Sequence, residues 1–195
     1  MSKEKVRCSW CLGEPIYTQY HDKEWGVPLK NGRKLFEFLI LDGAQAGLSW
    51  LTILKRREGF RQAYDGFDPE LMARYGEKDI TRLLNDARII RNKLKIRSSI
   101  ENAKAYLRME EEKQPFSKWL WNWVDGEPKV NHWKTLAEIP ASTDLSEKIS
   151  RELKKKGFTF VGSTIIYAFM QAAGMVNDHL VGCYRWESVQ KRKKQ

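Results

Sequence analysis

Five residues of this 195-residue chain carry the donor atoms of a metal site: Cys8, Cys11, His21, His179 and Cys183. Thiolate sulfur and imidazole nitrogen are the ligands Zn2+ prefers, and four of them close a tetrahedral structural site. His179 and Cys183 stand four residues apart, so a single helical turn would aim both at one point. On spacing alone the best quartet is Cys8-x2-Cys11 with His179 and Cys183, which leaves His21 spare; His132, the remaining histidine, stands alone. The competing chemistry for Cys8 and Cys11 is a dithiol redox pair, which expects a βαβ setting that the flanking sequence does not offer. A metal held by both ends would tie the first twenty residues to the last twenty and restrain termini that otherwise fray. Two thiolates would cancel its charge.

The elements that must position these residues read as helices. LFEFLILDGAQAG (35–47) begins apolar on every side, as a buried helix does, and LSWLTILKRREGF (48–60) grades from apolar to basic, as a helix leaving the core would. Asp68-Pro69 places a cap before a proline at the first helical position, and Asp144 with Glu147 predicts the cap of a helix running to Lys156 and stopped by Gly157. The stretch 80–112 breaks between Asp86 and Asn92 and resumes with apolar residues at helical spacing, which predicts a helix, a short hairpin and a helix over about 77–110. VGSTIIYAFMQAAG (161–174) is a further buried helix ending near Gly174. No strand alternation, repeat, low-complexity tract or linker interrupts the pattern, so the class is all-α, one domain over residues 1–195 with two lobes.

With 42% hydrophobic residues, eight tryptophans and 31% charged residues, the chain can bury a core, which excludes wholesale disorder. The net charge of +10 favours polyanions, nucleic acid first among them. Residues 1–7 carry +2 of it and residues 187–195 carry +3, so only +5 belongs to the body. The absence of an apolar run of about 18 residues predicts no membrane span, and MSKEKVRCSW offers no signal-type apolar stretch. Three cysteines that cannot pair completely fit a reducing compartment, so the cytoplasm is the expected location.

YHDKEW (20–25) continuing into Gly26-Val27-Pro28, LDGAQAGLSW (41–50), TILKRRE (52–58) and GFTFVGSTIIYAFMQAAGMVNDHLVGC (157–183) follow one another in an order that resembles the bacterial 3-methyladenine DNA glycosylase I family, collinearly from about Cys8 to Cys183. The resemblance implies a helix-hairpin-helix glycosylase of base-excision repair that hydrolyses the N-glycosidic bond of a flipped N3-methyladenine in double-stranded DNA and leaves an abasic site. It implies a structural Zn2+ on Cys8, His21, His179 and Cys183, in segments 8–21 and 179–183, which displaces the quartet suggested by spacing and makes Cys11 a bystander. It also implies a base pocket of Tyr20, Trp25, Trp50 and Asp42, with Asp42 serving recognition first and catalysis second.

The physics of such a pocket is independent of the family. A base flipped out of the duplex must recover its lost stacking on aromatic faces, at about 1–3 kcal/mol per base. An N3-methylated adenine is cationic, so aromatic faces and a carboxylate favour it over neutral adenine. It is also a good leaving group, because bond cleavage relieves that charge. The chain departs from the family pattern at Asp42, where the best-known members carry Glu. The side chain is shorter by on the order of 1 Å, a displacement that can cost about 10²-fold in rate.

Outside the pocket, the hairpin 85–96 is the expected DNA-backbone anchor, with Arg88, Arg91, Lys93 and Lys95 supplying charge in place of the glycines such hairpins ordinarily use. Gly47 and Leu48 match the family's approach to the gap left by the flipped base, with Leu48 as an apolar wedge. No motif places a lysine beside the pocket, so a monofunctional enzyme, acting as a monomer, is expected rather than a lyase. The alternatives are a non-catalytic zinc-stapled module that binds DNA or senses damage, and a thiol redox protein using Cys8 and Cys11.

Overall fold

A computed structural model of the chain describes residues 5–191. Among the described residues, ten α-helices carry the fold: α1 (Pro15–Lys23), α2 (Gly32–Gln45), α3 (Trp50–Ala63), α4 (Pro69–Met72), α5 (Glu77–Leu84), α6 (Lys93–Glu111), α7 (Phe116–Asn122), α8 (Asp144–Lys155), α9 (Ser163–Ala172) and α10 (Tyr184–Lys191). None of the described helices is long and apolar enough to cross a membrane. Of the basic ends, residues 1–4 and 192–195 lie outside the described residues.

Helix α2 is the central element. Its run from Leu35 to Ala44 is almost wholly buried, and it packs against α3, α6, α7 and α9. This is why its sequence shows no polar face: every side of it meets another helix. Its start is fixed by the Asn31 carboxamide, which accepts from the Lys34 N–H at 3.0 Å, and α3 starts in the same way on the Ser49 hydroxyl. Asp68 caps α4 as its sequence predicts, accepting from Glu70 and Leu71. The break between α5 and α6 falls at residues 85–92, and Asn92 caps α6.

Two expectations are corrected. The cap of α8 is Thr143, paired with Ser146 in a reciprocal box; Asp144 is the first helical residue, so its carboxylate favours the helix dipole without closing the cap. A short parallel pair, β1 (Lys129–Val130) with β2 (Val176–Asn177), joins the region before α8 to the segment after α9. Two residues per strand are too few to show alternation. Gly174 ends α9 with φ +66°, and a Cβ there would stand 2.6 Å from the Pro28 nitrogen, so both the turn and the approach of the chain after Trp25 require glycine.

Candidate active site and metal centre

The four residues Cys8, His21, His179 and Cys183 converge from the two ends of the chain, all buried, with their donor atoms within 4.8 Å of one another. Cys183 Sγ lies 3.4 Å from His21 Nε2 and 3.8 Å from His179 Nδ1, and Cys8 Sγ lies 3.8 Å from His179 Nδ1. The edges of a tetrahedron with metal bonds of 2.0–2.3 Å are about 3.3–3.8 Å, so the donor set fits a zinc-sized ion. The histidine tautomers are fixed from outside. His21 Nδ1 faces Asp22 Oδ1 at 2.9 Å and His179 Nε2 faces the Trp25 carbonyl at 3.1 Å, so each ring donates outward and turns its other nitrogen inward. Cys183 is held toward the thiolate, chiefly by the hydrogen bond from the neighbouring Cys8 thiol. Cys11 stands outside the cluster; its thiol donates to the Cys8 carbonyl at 3.1 Å, and burial pushes its pKa up to about 11, opposite to the depression a redox nucleophile needs.

Beside this cluster lies a cavity of about 220 Å³ whose walls include Tyr20, Trp25, Asp42 and Trp50. Tyr20 and Trp25 come from the end of α1 and the turn after it, Trp50 from the start of α3, and Asp42 from the buried face of α2. The metal cluster and the cavity share a frame: Tyr20 precedes His21, and the Trp25 carbonyl takes the His179 N–H. The Tyr20 and Trp50 rings are 5.5 Å apart, and burial holds the Tyr20 hydroxyl in its protonated form.

Asp42 is the anomaly of the interior. It is 3% exposed, and burial raises its pKa well above the usual carboxylate range. Its Oδ2 has no hydrogen-bond partner, and neither has the indole N–H of Trp50 in the same wall. A buried acceptor and a buried donor left unpaired are each costly, and together they describe the complement of something polar that enters the cavity. Asp42 also lines a second hollow of about 170 Å³, together with Gly47, Leu48, Thr164 and Ile165. The carboxylate therefore sits between the aromatic cavity and the loop joining α2 to α3. In that loop Gly47 has φ +77° and Leu48 is 40% exposed.

The basic hairpin departs from its expected role at two positions. The Lys95 ammonium turns inward and donates to the carbonyls of Ala44 and Ala46, at 2.9 and 2.6 Å, where it satisfies the end of α2; this corrects its assignment as a phosphate contact. Arg88 is held by a bidentate pair with Asp86 and by Gln62, so its charge is largely matched. Arg91 and Lys93 are exposed and form no ion pair among the described residues. A second hairpin, residues 156–162 between α8 and α9, has the glycines the first one lacks, Gly157 at φ +90° and Gly162 as the N-cap of α9. Gly162 has no side chain to satisfy the first N–H groups of α9, and that helix start meets Leu48 at the second hollow.

Sequence reasoning missed Trp10, Tyr17, Gln45 and Gln171, all in the cavity wall. Two of these were within reach. Gln45 lies one helical turn from Asp42, and Tyr17 one turn from Tyr20, so each shares a face with a residue already assigned. Trp10 is presented by a single helical turn between the two N-terminal cysteines, and Gln171 comes from a distant helix; only the fold brings them in.

A model of the family described as methyladenine glycosylase matches residues 10–186. The DNA-3-methyladenine glycosylase 1 of Escherichia coli is 52% identical over 177 residues, covering 91% of this chain and 95% of that protein. A crystal structure of a 3-methyladenine DNA glycosylase I superposes with a TM-score of 0.90 at 49% identity, covering 92% of this chain and 98% of the other. The structure describing 3-methyladenine recognition by the Staphylococcus aureus enzyme gives 0.88 at 36% identity, covering 91% and 95%. The family match takes in His21, His179 and Cys183 of the cluster, the aromatic cavity and both hairpins, and the chain belongs to the methyladenine glycosylase family.

Proposed function

We propose that the chain is a monofunctional DNA glycosylase of base-excision repair, which hydrolyses the bond between deoxyribose and N3-methyladenine and leaves an abasic site. The observation that carries the reading is Asp42, a buried carboxylate with an unpaired oxygen in an aromatic cavity. Leu48 enters the duplex as a wedge, and the damaged nucleotide swings past the α2–α3 loop into the cavity. There Tyr20, Trp25 and Trp50 replace the stacking the base has lost, and their faces favour its positive charge. Asp42 accepts hydrogen bonds from the base and, when ionised opposite the cation, stabilises the oxocarbenium character that develops as the bond breaks. Although one methylene shorter than Glu, the Asp42 side chain lines the cavity from α2. Little acid catalysis is needed, because the departing base sheds a charge.

The DNA backbone is held outside the cavity. The uncapped start of α9 and the hairpin 156–162 offer backbone N–H groups to a phosphate, and Arg91 and Lys93 add charge without reading sequence. Cys8, His21, His179 and Cys183 hold a structural Zn2+, which fixes the segment carrying Tyr20 and Trp25. Lys95 does not serve as a lyase nucleophile, since two carbonyls engage its ammonium. The enzyme acts as a monomer on double-stranded DNA, and the unpaired cysteines fit a cytoplasmic setting. Incubation with methylated duplex DNA and chromatography of released bases tests the reading. A non-catalytic damage sensor would bind such DNA and release nothing.

A further inference from the structure

We propose that Gln171 is a specificity-determining residue whose side-chain carbonyl accepts an N–H from the exocyclic amine of the bound base, and that Asp178 is the positioning residue that points it there. The inference rests on the glycosylase reading and names a contact within the same pocket.

Asp178 is 1% exposed and surrounded by donors. Its Oδ1 receives Asn131 Nδ2 at 2.6 Å and Trp133 Nε1 at 2.9 Å; its Oδ2 receives the Tyr167 hydroxyl at 2.6 Å and Gln171 Nε2 at 2.8 Å. An indole N–H can only donate, so the carboxylate accepts, and the Gln171 carboxamide can meet it only through its NH2 group. The direction of an amide is normally an assignment made from its neighbours, and here the neighbours leave one choice. The carboxamide is planar, so its oxygen points away from Asp178. Gln171 lines the aromatic cavity, and its oxygen has no hydrogen-bond partner among the described residues. The backbone carbonyl of the same residue accepts from the Gly26 N–H at 3.1 Å, which fixes α9 against the turn after Trp25.

Of the polar groups in the cavity wall, the Asp42 carboxylate and the Gln171 carbonyl face a base as acceptors and the Trp50 indole faces it as a donor, while the hydroxyls of Tyr17 and Tyr20 and the Gln45 carboxamide can serve as either. A 6-amino purine has two amine hydrogens to give. A 6-oxo purine sets a carbonyl oxygen against two acceptors, and a site built for a donor rejects a ligand without one because its own buried groups stay unpaired. Gln171 and Asp178 together make the pocket a reader of the amine as well as of the charge.

The test compares binding of two free bases, 3-methyladenine and its 6-oxo counterpart 3-methylhypoxanthine, by quenching of the cavity tryptophans. The wild-type protein is expected to prefer 3-methyladenine by about tenfold or more. Gln171→Leu, which keeps the volume and removes the acceptor, should weaken 3-methyladenine about tenfold and leave the 6-oxo base unchanged, so the preference collapses. Asp178→Asn, which lets the Gln171 amide turn over, should lower the preference in the same direction, and a thermal melt checks that each variant folds. Equal weakening of both bases by Gln171→Leu, or an unchanged preference, overturns the proposal while wild-type base release keeps the glycosylase reading intact. A wild-type protein that binds and releases neither base overturns both.

Discussion

Replacing Asp42 by Asn should make the protein more stable and less active at once. The carboxylate is buried with an unpaired oxygen, and burial raises its pKa. A group whose folded pKa lies above its unfolded value supports the fold fully below the unfolded pKa, near 4 for Asp, and that support drains away as pH rises toward the folded pKa. At neutral pH the wild-type fold therefore carries a penalty that the neutral Asn does not. The effective penalty for a buried ion is several kcal/mol, but the Asn amide is itself unpaired, so the net gain should be about 2 kcal/mol. For a chain of this length that corresponds to a rise of roughly 4–8 °C in Tm. Thermal melts of both proteins from pH 4 to pH 9 provide the assay, with the gap small at the acid end and widening upward. Release of 3-methyladenine should fall by about 10² or more, within the range typical of a lost electrostatic stabiliser. A variant less stable than wild type at pH 8, or a gap that does not change with pH, would refute the reasoning that Asp42 is held at the expense of the fold.

Four of the remaining expectations concern the frame around the pocket. Cys183→Ser should abolish bound zinc in elemental analysis and lower stability by about 3 kcal/mol, roughly 6–12 °C in Tm, with base release lost in parallel because the cluster holds Tyr20 and Trp25. Lys95→Met should destabilise the end of α2 by about 1.5–3 kcal/mol yet leave the salt dependence of DNA binding unchanged. Arg91→Ala and Lys93→Ala should each reduce that slope by about 1 with no change in Tm. Leu48→Ala should slow release from duplex DNA at least tenfold, roughly, while binding of free 3-methyladenine stays at the wild-type level.

The sequence made the helices legible because their signals are local: Asn, Ser and Asp caps before apolar runs, and glycines behind them. It misplaced the cap of α8 by one residue, since Thr143 and Asp144 are both good caps and only the geometry chooses. The two-residue strands left no pattern to read. Spacing favoured Cys11 over His21 as a ligand because a C-x2-C pair is a local signal, whereas His21 comes beside Cys183 across 162 residues and joins the cluster only through the packing of α1. Lys95 was misread for the converse reason. A basic residue in a basic hairpin reads as surface charge, and nothing in the sequence shows that the end of α2 lies within reach of its ammonium. Gln171 was hidden in an apolar helix, and its chemistry comes from Asp178, which its own segment does not reveal.

The central claim is that Asp42 and the aromatic cavity release a base. Methylated duplex DNA incubated with the protein, followed by chromatographic identification of free bases, tests it most directly. Free 3-methyladenine is expected from the wild-type protein and almost none from Asp42→Asn, although both bind the DNA. Bound DNA with no base released by the wild-type protein, or equal release by both proteins, would contradict it.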